Sequence, residues 1–254
     1  MINGLDLHVV DEGHGRPPLL LVHGFTGSDL DWVDVQPALA EQRRVVSYTH
    51  RGHAGSAQAA PYTLDALVGD LGAAIDHLDL PPLHLLGHSM GGIIAMRYAL
   101  ANPDRLVSLV LMDTFAASPA DSPIAGMIDA IADTARRDGM GAVVNVMRPF
   151  LAGMPPKIAE RVEYKMSHMD PNAFVSLGRE LTTLPSVVGR LGELARMPVT
   201  VLVGADDAAL VEPAHVMHDA IPGSDLEVIA GAGHSPQEDR PDEWLRVIEK
   251  HLAR

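Results

Sequence analysis

Leu83-His84-Leu85-Leu86-Gly87-His88-Ser89-Met90-Gly91-Gly92-Ile93-Ile94-Ala95-Met96-Arg97 is the stretch whose reading decides the fold. Leu83 to Leu86 is a short apolar run suited to a buried strand. From Met90 to Asn102 the apolar residues Ile93, Ile94, Met96, Ala99 and Leu100 fall at helical spacing. Between them lies Gly87-His88-Ser89-Met90-Gly91, a G-x-S-x-G pattern. A strand that turns sharply into a helix leaves no room for side chains two positions either side of the turning residue, so both are Gly. The turning residue then presents its side chain at the top of a sheet, beside a helix N-terminus. Ser89 stands where a nucleophile would. Gly91-Gly92 also suits close packing of helix on sheet. G-x-S-x-G by itself is a weak pattern, and the strand before it and helix after it give it meaning.

The rest of the chain repeats the strand-then-helix alternation. Leu5 to Val10 alternates and reads as a leading strand, and Gly13 to Pro18 as a turn. Leu19 to Val22 reads as a buried strand ending in His23-Gly24-Phe25-Thr26-Gly27-Ser28, and Asp29 to Glu41 as a helix capped by Ser28 or Asp29. Arg43 to Tyr48 is a third strand. Thr63 to Leu78 is a helix with Leu64, Leu67, Val68, Leu71, Ile75 and Leu78 on one face. After the Ser89 unit come a strand at Leu106 to Met112, one at Val199 to Val203 and one at Leu226 to Ile229. Helices are expected at Pro213 to Ala220 and Asp242 to Leu252. Such alternation implies a mostly parallel sheet covered on both faces. From Phe115 to Leu191 the alternation stops, and helical patterns broken by proline take its place. The expected organisation is therefore a core of residues 1–116 and 191–254 with a helical insertion at 117–190.

Composition narrows the function. At 254 residues the chain can bury one large core. It lacks any apolar run of about 18 residues, and its first residues lack a basic-then-apolar leader, so a cytoplasmic protein without a membrane partner is expected. There is no Cys, which excludes disulfides, thiol nucleophiles and thiolate metal sites. A net charge of −14 disfavours nucleic acid and anionic membranes as partners. No histidine triplet has metal-ligand spacing, and Gly87 to Gly92 lacks the Lys-Ser/Thr of a phosphate loop. No metal and no cofactor is expected, and the chain is expected to be a monomer or homodimer.

Three strand-end loops carry Ser89, then Asp206 or Asp207, then His234, and such loops converge at the carboxyl edge of a parallel sheet. With these residues in this order, the sequence resembles the α/β-hydrolase superfamily. His23-Gly24-Phe25 looks like its oxyanion loop, Gly87 to Gly92 its nucleophile elbow, Gly204-x-x-Asp207 its acid loop and Gly233-His234 its histidine loop. The resemblance covers about residues 18 to 115 and 197 to 254. It implies an α/β-hydrolase fold with an inserted helical cap. It also implies a catalytic triad of Ser89, Asp207 and His234, with the backbone N–H groups of Phe25 and Met90 as oxyanion hole. The side chains of Phe25 and Met90 are expected in the acyl pocket, with Met127, Met147 and Phe150 from the cap. Asp206 and Asp113 are rival acids, and Asp113 has the simpler reading of a strand-end cap. His88 is expected to pack behind the nucleophile and His23 to hold its loop. The usual Asp-x-Arg-Gly-His-Gly reads Thr49-His50-Arg51-Gly52-His53-Ala54 here, so the shape of that loop is open.

A Ser nucleophile implies hydrolysis of carboxylic esters or lactones, and the apolar residues of the insertion imply a small, mainly apolar substrate. Carbon–carbon bond hydrolases, menaquinone-pathway lyases and cofactor-free haloperoxidases share the core. The lyases usually carry Tyr and a trailing Arg in the elbow, where this chain has His88 and Ile93. A receptor that keeps the triad is the alternative of another class.

Overall fold

In the computed structural model, residues 1–118 and 123–254 are described, with the side chains of residues 123–125 and 127 left aside. Seven strands form one sheet: β1 (Val9–Glu12), β2 (Leu19–Val22), β3 (Val45–Tyr48), β4 (Leu83–His88), β5 (Leu106–Met112), β6 (Val199–Gly204) and β7 (Asp225–Ile229). Their spatial order is β1-β3-β2-β4-β5-β6-β7. β1 pairs antiparallel with β3, and every other neighbour is parallel. The helices are α1 (Gln36–Ala40), α2 (Leu64–His77), α3 (Met90–Ala101), α4 (Pro123–Asp138), α5 (Met140–Leu151), α6 (Pro156–Ser167), α7 (Pro171–Thr182), α8 (Val211–Ala220), α9 (Pro236–Asp239) and α10 (Pro241–Leu252).

Strand alternation divides the core into two layers. Leu19, Leu21, Leu86, Val110, Met112 and Leu202 pack with Trp32, Val35, Leu39, Trp244 and Ile248, on the side of α1 and α10. Leu20, Val22, Leu85, Leu109, Leu111, Val201 and Val203 face the other way, onto α2, α3 and α8. Both faces are covered, so β2, β4 and β6 are buried at every position and read as mostly apolar runs.

Two expectations are corrected. The leading strand begins at Val9 rather than Leu5. Ile2 and Leu5 pair with each other ahead of it, and Leu7 packs into the core from irregular backbone. The helix expected at Asp29 to Glu41 is two short pieces, a 3-10 turn at Asp29–Asp31 and then α1. Ser28 caps the first, and Trp32, Val35 and Leu39 still reach one layer of the core. Between β5 and β6 the chain makes α4 to α7, as the broken alternation predicts. Among the described residues no helix is long and apolar enough to cross a membrane.

Candidate active site

The order of strands reverses about β2, because β3 lies on one side of it and β4 on the other. A crevice opens at the carboxyl ends there. Ser89 follows β4 with φ 54° and ψ −120°, a left-handed backbone that costs about 1–3 kcal/mol in a non-glycine residue. Surrounding bonds hold it. Its N–H donates to Met112 O (2.9 Å), and its carbonyl accepts from Thr114 Oγ1 (2.7 Å) and Gly92 N (2.9 Å). A Cβ on Gly87 would run into Gly91 O, and one on Gly91 into Val22 O, so the glycines are required by close approach.

His234 lies on the loop between β7 and α9, and Asp207 on the loop between β6 and α8. His234 Nδ1 donates to Asp207 Oδ2 at 2.6 Å, and its Nε2 is 3.1 Å from Ser89 Oγ. Asp207 is ionisable and accepts, so Nδ1 carries the proton and Nε2 is left to accept from the hydroxyl. Asp206 is exposed, and among the described residues only its backbone is engaged, donating to Ala232 O at 2.9 Å.

The sequence model of the alpha/beta hydrolase family matches residues 19–247. The chain belongs to the alpha/beta hydrolase family. A lipase of Mycobacterium tuberculosis is 30% identical over 270 residues, covering 98% of this chain and 98% of that protein. The putative 2-succinyl-6-hydroxy-2,4-cyclohexadiene-1-carboxylate synthase of Bacillus subtilis is 28% identical, covering 99% of this chain and 96% of that protein. Among solved structures, a thermophilic esterase from Thermogutta terrifontis is 30% identical, covers 98% of this chain and 93% of its own, and has a TM-score of 0.85.

In this alpha/beta hydrolase, the loop after β2 lies against the elbow, and a Cβ on Gly24 would sit 3.0 Å from Ser89 Cβ. Among the described residues, neither the Phe25 N–H nor the Met90 N–H finds an acceptor. Met90 is the first residue of α3, where a helix leaves its N–H groups free and favours negative charge. Phe25 stacks on Phe174 of α7, with ring centroids 5.2 Å apart, and lines the cavity. The Met90 side chain does not line it as expected. The sharp turn sends it into the core, fully buried.

The cavity at Ser89 measures about 380 Å³ and is lined by apolar residues of α4 to α7 and by the core loops that carry Gly24 to Gly27, Ser89 and His234. Met147 and Phe150 are among the residues that line it, Phe150 with 71% of its surface exposed. The Met127 side chain lies outside the described residues. Phe174, Val162 and Met166 were missed. A polar wall was missed too: Lys165 of α6 donates to Asp31, both buried, and Glu238 of α9 lies beside them. Burial raises the Glu238 pKa. Arg161 and Lys157 of α6 reach Asp34, at 2.6 and 2.8 Å. Lys157, Arg161 and Lys165 thus tie α6 to the segment between β2 and α1 that carries Asp31 and Asp34.

The histidines behind the site hold its loops. The backbone N–H of His50 donates to His23 Nε2 (3.0 Å), so the His23 proton is on Nδ1, donated to Gly24 O (2.8 Å). The divergent segment keeps its anchor through Thr49 Oγ1, which donates to Asp29 Oδ1 (2.9 Å). His88 Nε2 donates to the His234 carbonyl at 2.7 Å and fixes that loop. A second serine–histidine arrangement, Ser108 with His84 and His251, lies in the sheet's amino-terminal half; all three residues are buried away from the crevice.

Burial lowers the pKa of His50 and His88 to about 3, of His53, His84 and His251 to about 4, and of His23 well below its ordinary value. The unfolded chain takes up these protons below about pH 6.5, while the fold refuses them. Their contribution to stability is whole above that pH and is lost as pH falls toward 4 and then 3. The urea midpoint is therefore expected to drop steadily between about pH 7 and pH 5. A midpoint unchanged across that interval would show that these rings are not held neutral.

Proposed function

We propose that the chain is a serine hydrolase that cleaves carboxylic esters or lactones through an acyl-enzyme on Ser89. The observation that carries this reading is the unbroken chain of hydrogen bonds from Ser89 Oγ through His234 to Asp207. Ser89 Oγ attacks the carbonyl carbon and its proton passes to His234 Nε2. The bond to the leaving oxygen breaks, and that oxygen takes the proton from His234. Water then attacks the acyl carbon, gives its proton to His234, and Ser89 recovers it as the acid leaves. Asp207 keeps the imidazole in the right tautomer and stabilises its cation. The N–H groups of Phe25 and Met90 would hold the oxyanion, each contributing about 3–4 kcal/mol in comparable sites.

In this reading residues 117–190 are a cap, and its apolar side chains take the acyl or aryl part of the substrate. Lys165 lines the cavity, but Asp31 is bonded to it and Glu238 adds a second acid. That wall favours uncharged substrates over carboxylates. The likeness to a synthase named for a carboxylate supports a second reading, a lyase. The paired Lys165 and the elbow residues His88 and Ile93 count against it.

The test is a series of p-nitrophenyl esters of increasing acyl length, with dicarboxylate monoesters beside them. Each buried methylene should contribute about 0.8 kcal/mol, roughly fourfold in kcat/KM, until the cavity is full. Phe150→Ser should flatten the long end of the series. A preference for the monoesters, abolished by Lys165→Met, would replace this reading with an anionic substrate.

A further inference from the structure

Asp113 follows β5 at the carboxyl edge of the sheet, 1% exposed and at φ 43°. Its N–H donates to Leu202 O and its Oδ1 accepts from Gly204 N, both at 2.9 Å, so it is clamped to β6 directly below the acid loop. Its Oδ2 is buried without a hydrogen-bond partner among the described residues. Side-chain atoms of Asp113, Asp207 and His234 all lie within 4.8 Å of one another. A strand-end cap needs only Oδ1. That leaves Oδ2 unused, on a residue whose carboxyl lies beside that of Asp207, which as a carboxylate can accept a hydrogen bond but cannot give one.

We propose that Asp113 is a positioning residue for the triad, a neutral carboxylic acid that donates its proton to Asp207. This inference rests on the assignment of Ser89, His234 and Asp207. Asp207 then has one oxygen on the His234 Nδ1–H and the other on Asp113, which fixes its plane toward the imidazole. Two carboxylates so close cannot both be ionised without strong repulsion, and sharing a proton is the general solution. The titratable groups that face Asp113 agree. Burial comes first, then the Asp207 carboxylate beside it and the charge of Asp239 on α9, and together they raise its pKa to about 8. The Gly204 N–H pulls the other way and does not prevail.

The proton is lost as pH rises through about 8. Asp207 then loses its second bond and gains a repelling neighbour, and kcat is expected to fall. Asp113→Asn keeps the shape, an acceptor for Gly204 and a donor for Asp207, but does not titrate. It should lose the alkaline limb. Asp113→Ala has no donor and should lose about ten- to a hundredfold in kcat at every pH, with KM little changed. An independent reading is infrared absorption, where a buried carboxylic acid band should be present at neutral pH, vanish at high pH, and be missing in Asp113→Asn. An alkaline limb retained by Asp113→Asn, Asn no better than Ala, or no such band overturns the proposal. Ser89→Ala separates the two readings. If it still turns over, the triad assignment fails; if it is inactive while Asp113→Asn titrates like wild type, only the role of Asp113 fails.

Discussion

Ser89→Ala is expected to lower kcat by about 10⁴-fold or more and to leave the fold intact. The size follows from what the hydroxyl does. In the proposed mechanism it is the atom that bonds to the acyl carbon, and without it the site would retain only the N–H groups of Phe25 and Met90 and the cavity. The absence of a stability cost follows from its surroundings. Ser89 Oγ bonds only to His234 Nε2 among the described residues, and His234 is 49% exposed, so water can replace the lost partner. The strained backbone is held by Met112, Thr114 and Gly92 through main-chain atoms that Ala retains. The check is kcat on a short-chain p-nitrophenyl ester, with a melting curve to exclude misfolding. Intact mass after an organophosphonate should show one adduct per wild-type chain and none on the variant. Turnover within tenfold of wild type would end the nucleophile assignment.

The residues that carry this prediction were legible because their signals are local. Gly87, Ser89 and Gly91 sit within five positions, and the strand before them is buried at every position and mostly apolar. β2 and β6 are buried throughout as well, and β5 at all but one position. The first strand was misplaced because Leu5 and Leu7 alternate like strand residues but pack from irregular backbone, whereas the true β1 is partly exposed at the sheet's edge. Trp32, Val35 and Leu39 have helical spacing, and two short pieces joined by turns place them on the core equally well. The polar wall was not legible at all. Asp31 and Lys165 are 134 residues apart, and neither carries a pattern that names the other. Asp113 could be read only as a rival acid or a cap, because its distance to Asp207 is set by the pairing of β5 with β6.

Asp207→Asn is expected to cost about 10⁴-fold in kcat, the loss that the corresponding change produces in other serine triads. The amide keeps the volume of the carboxylate, so the loss is one of proton placement. Asp207 offers one acceptor to the His234 Nδ1–H, and in the arrangement proposed above its other to Asp113. Asn has one acceptor and one donor. If Asp113 keeps its proton, it takes the amide oxygen, and the NH₂ faces His234. Nδ1 must then accept, and the ring proton moves to Nε2, where it points at Ser89 Oγ. An imidazole in that tautomer cannot take the proton of the nucleophile. Asp206→Asn should stay within about twofold, because that side chain is exposed and its neighbours are held by backbone bonds. Measuring kcat for Asp206→Asn, Asp207→Asn and Asp113→Asn under one set of conditions decides among the three acids. If Asp113→Asn is the most damaging, the carboxylate that orients His234 is the one that ends β5, and Asp207 supports it.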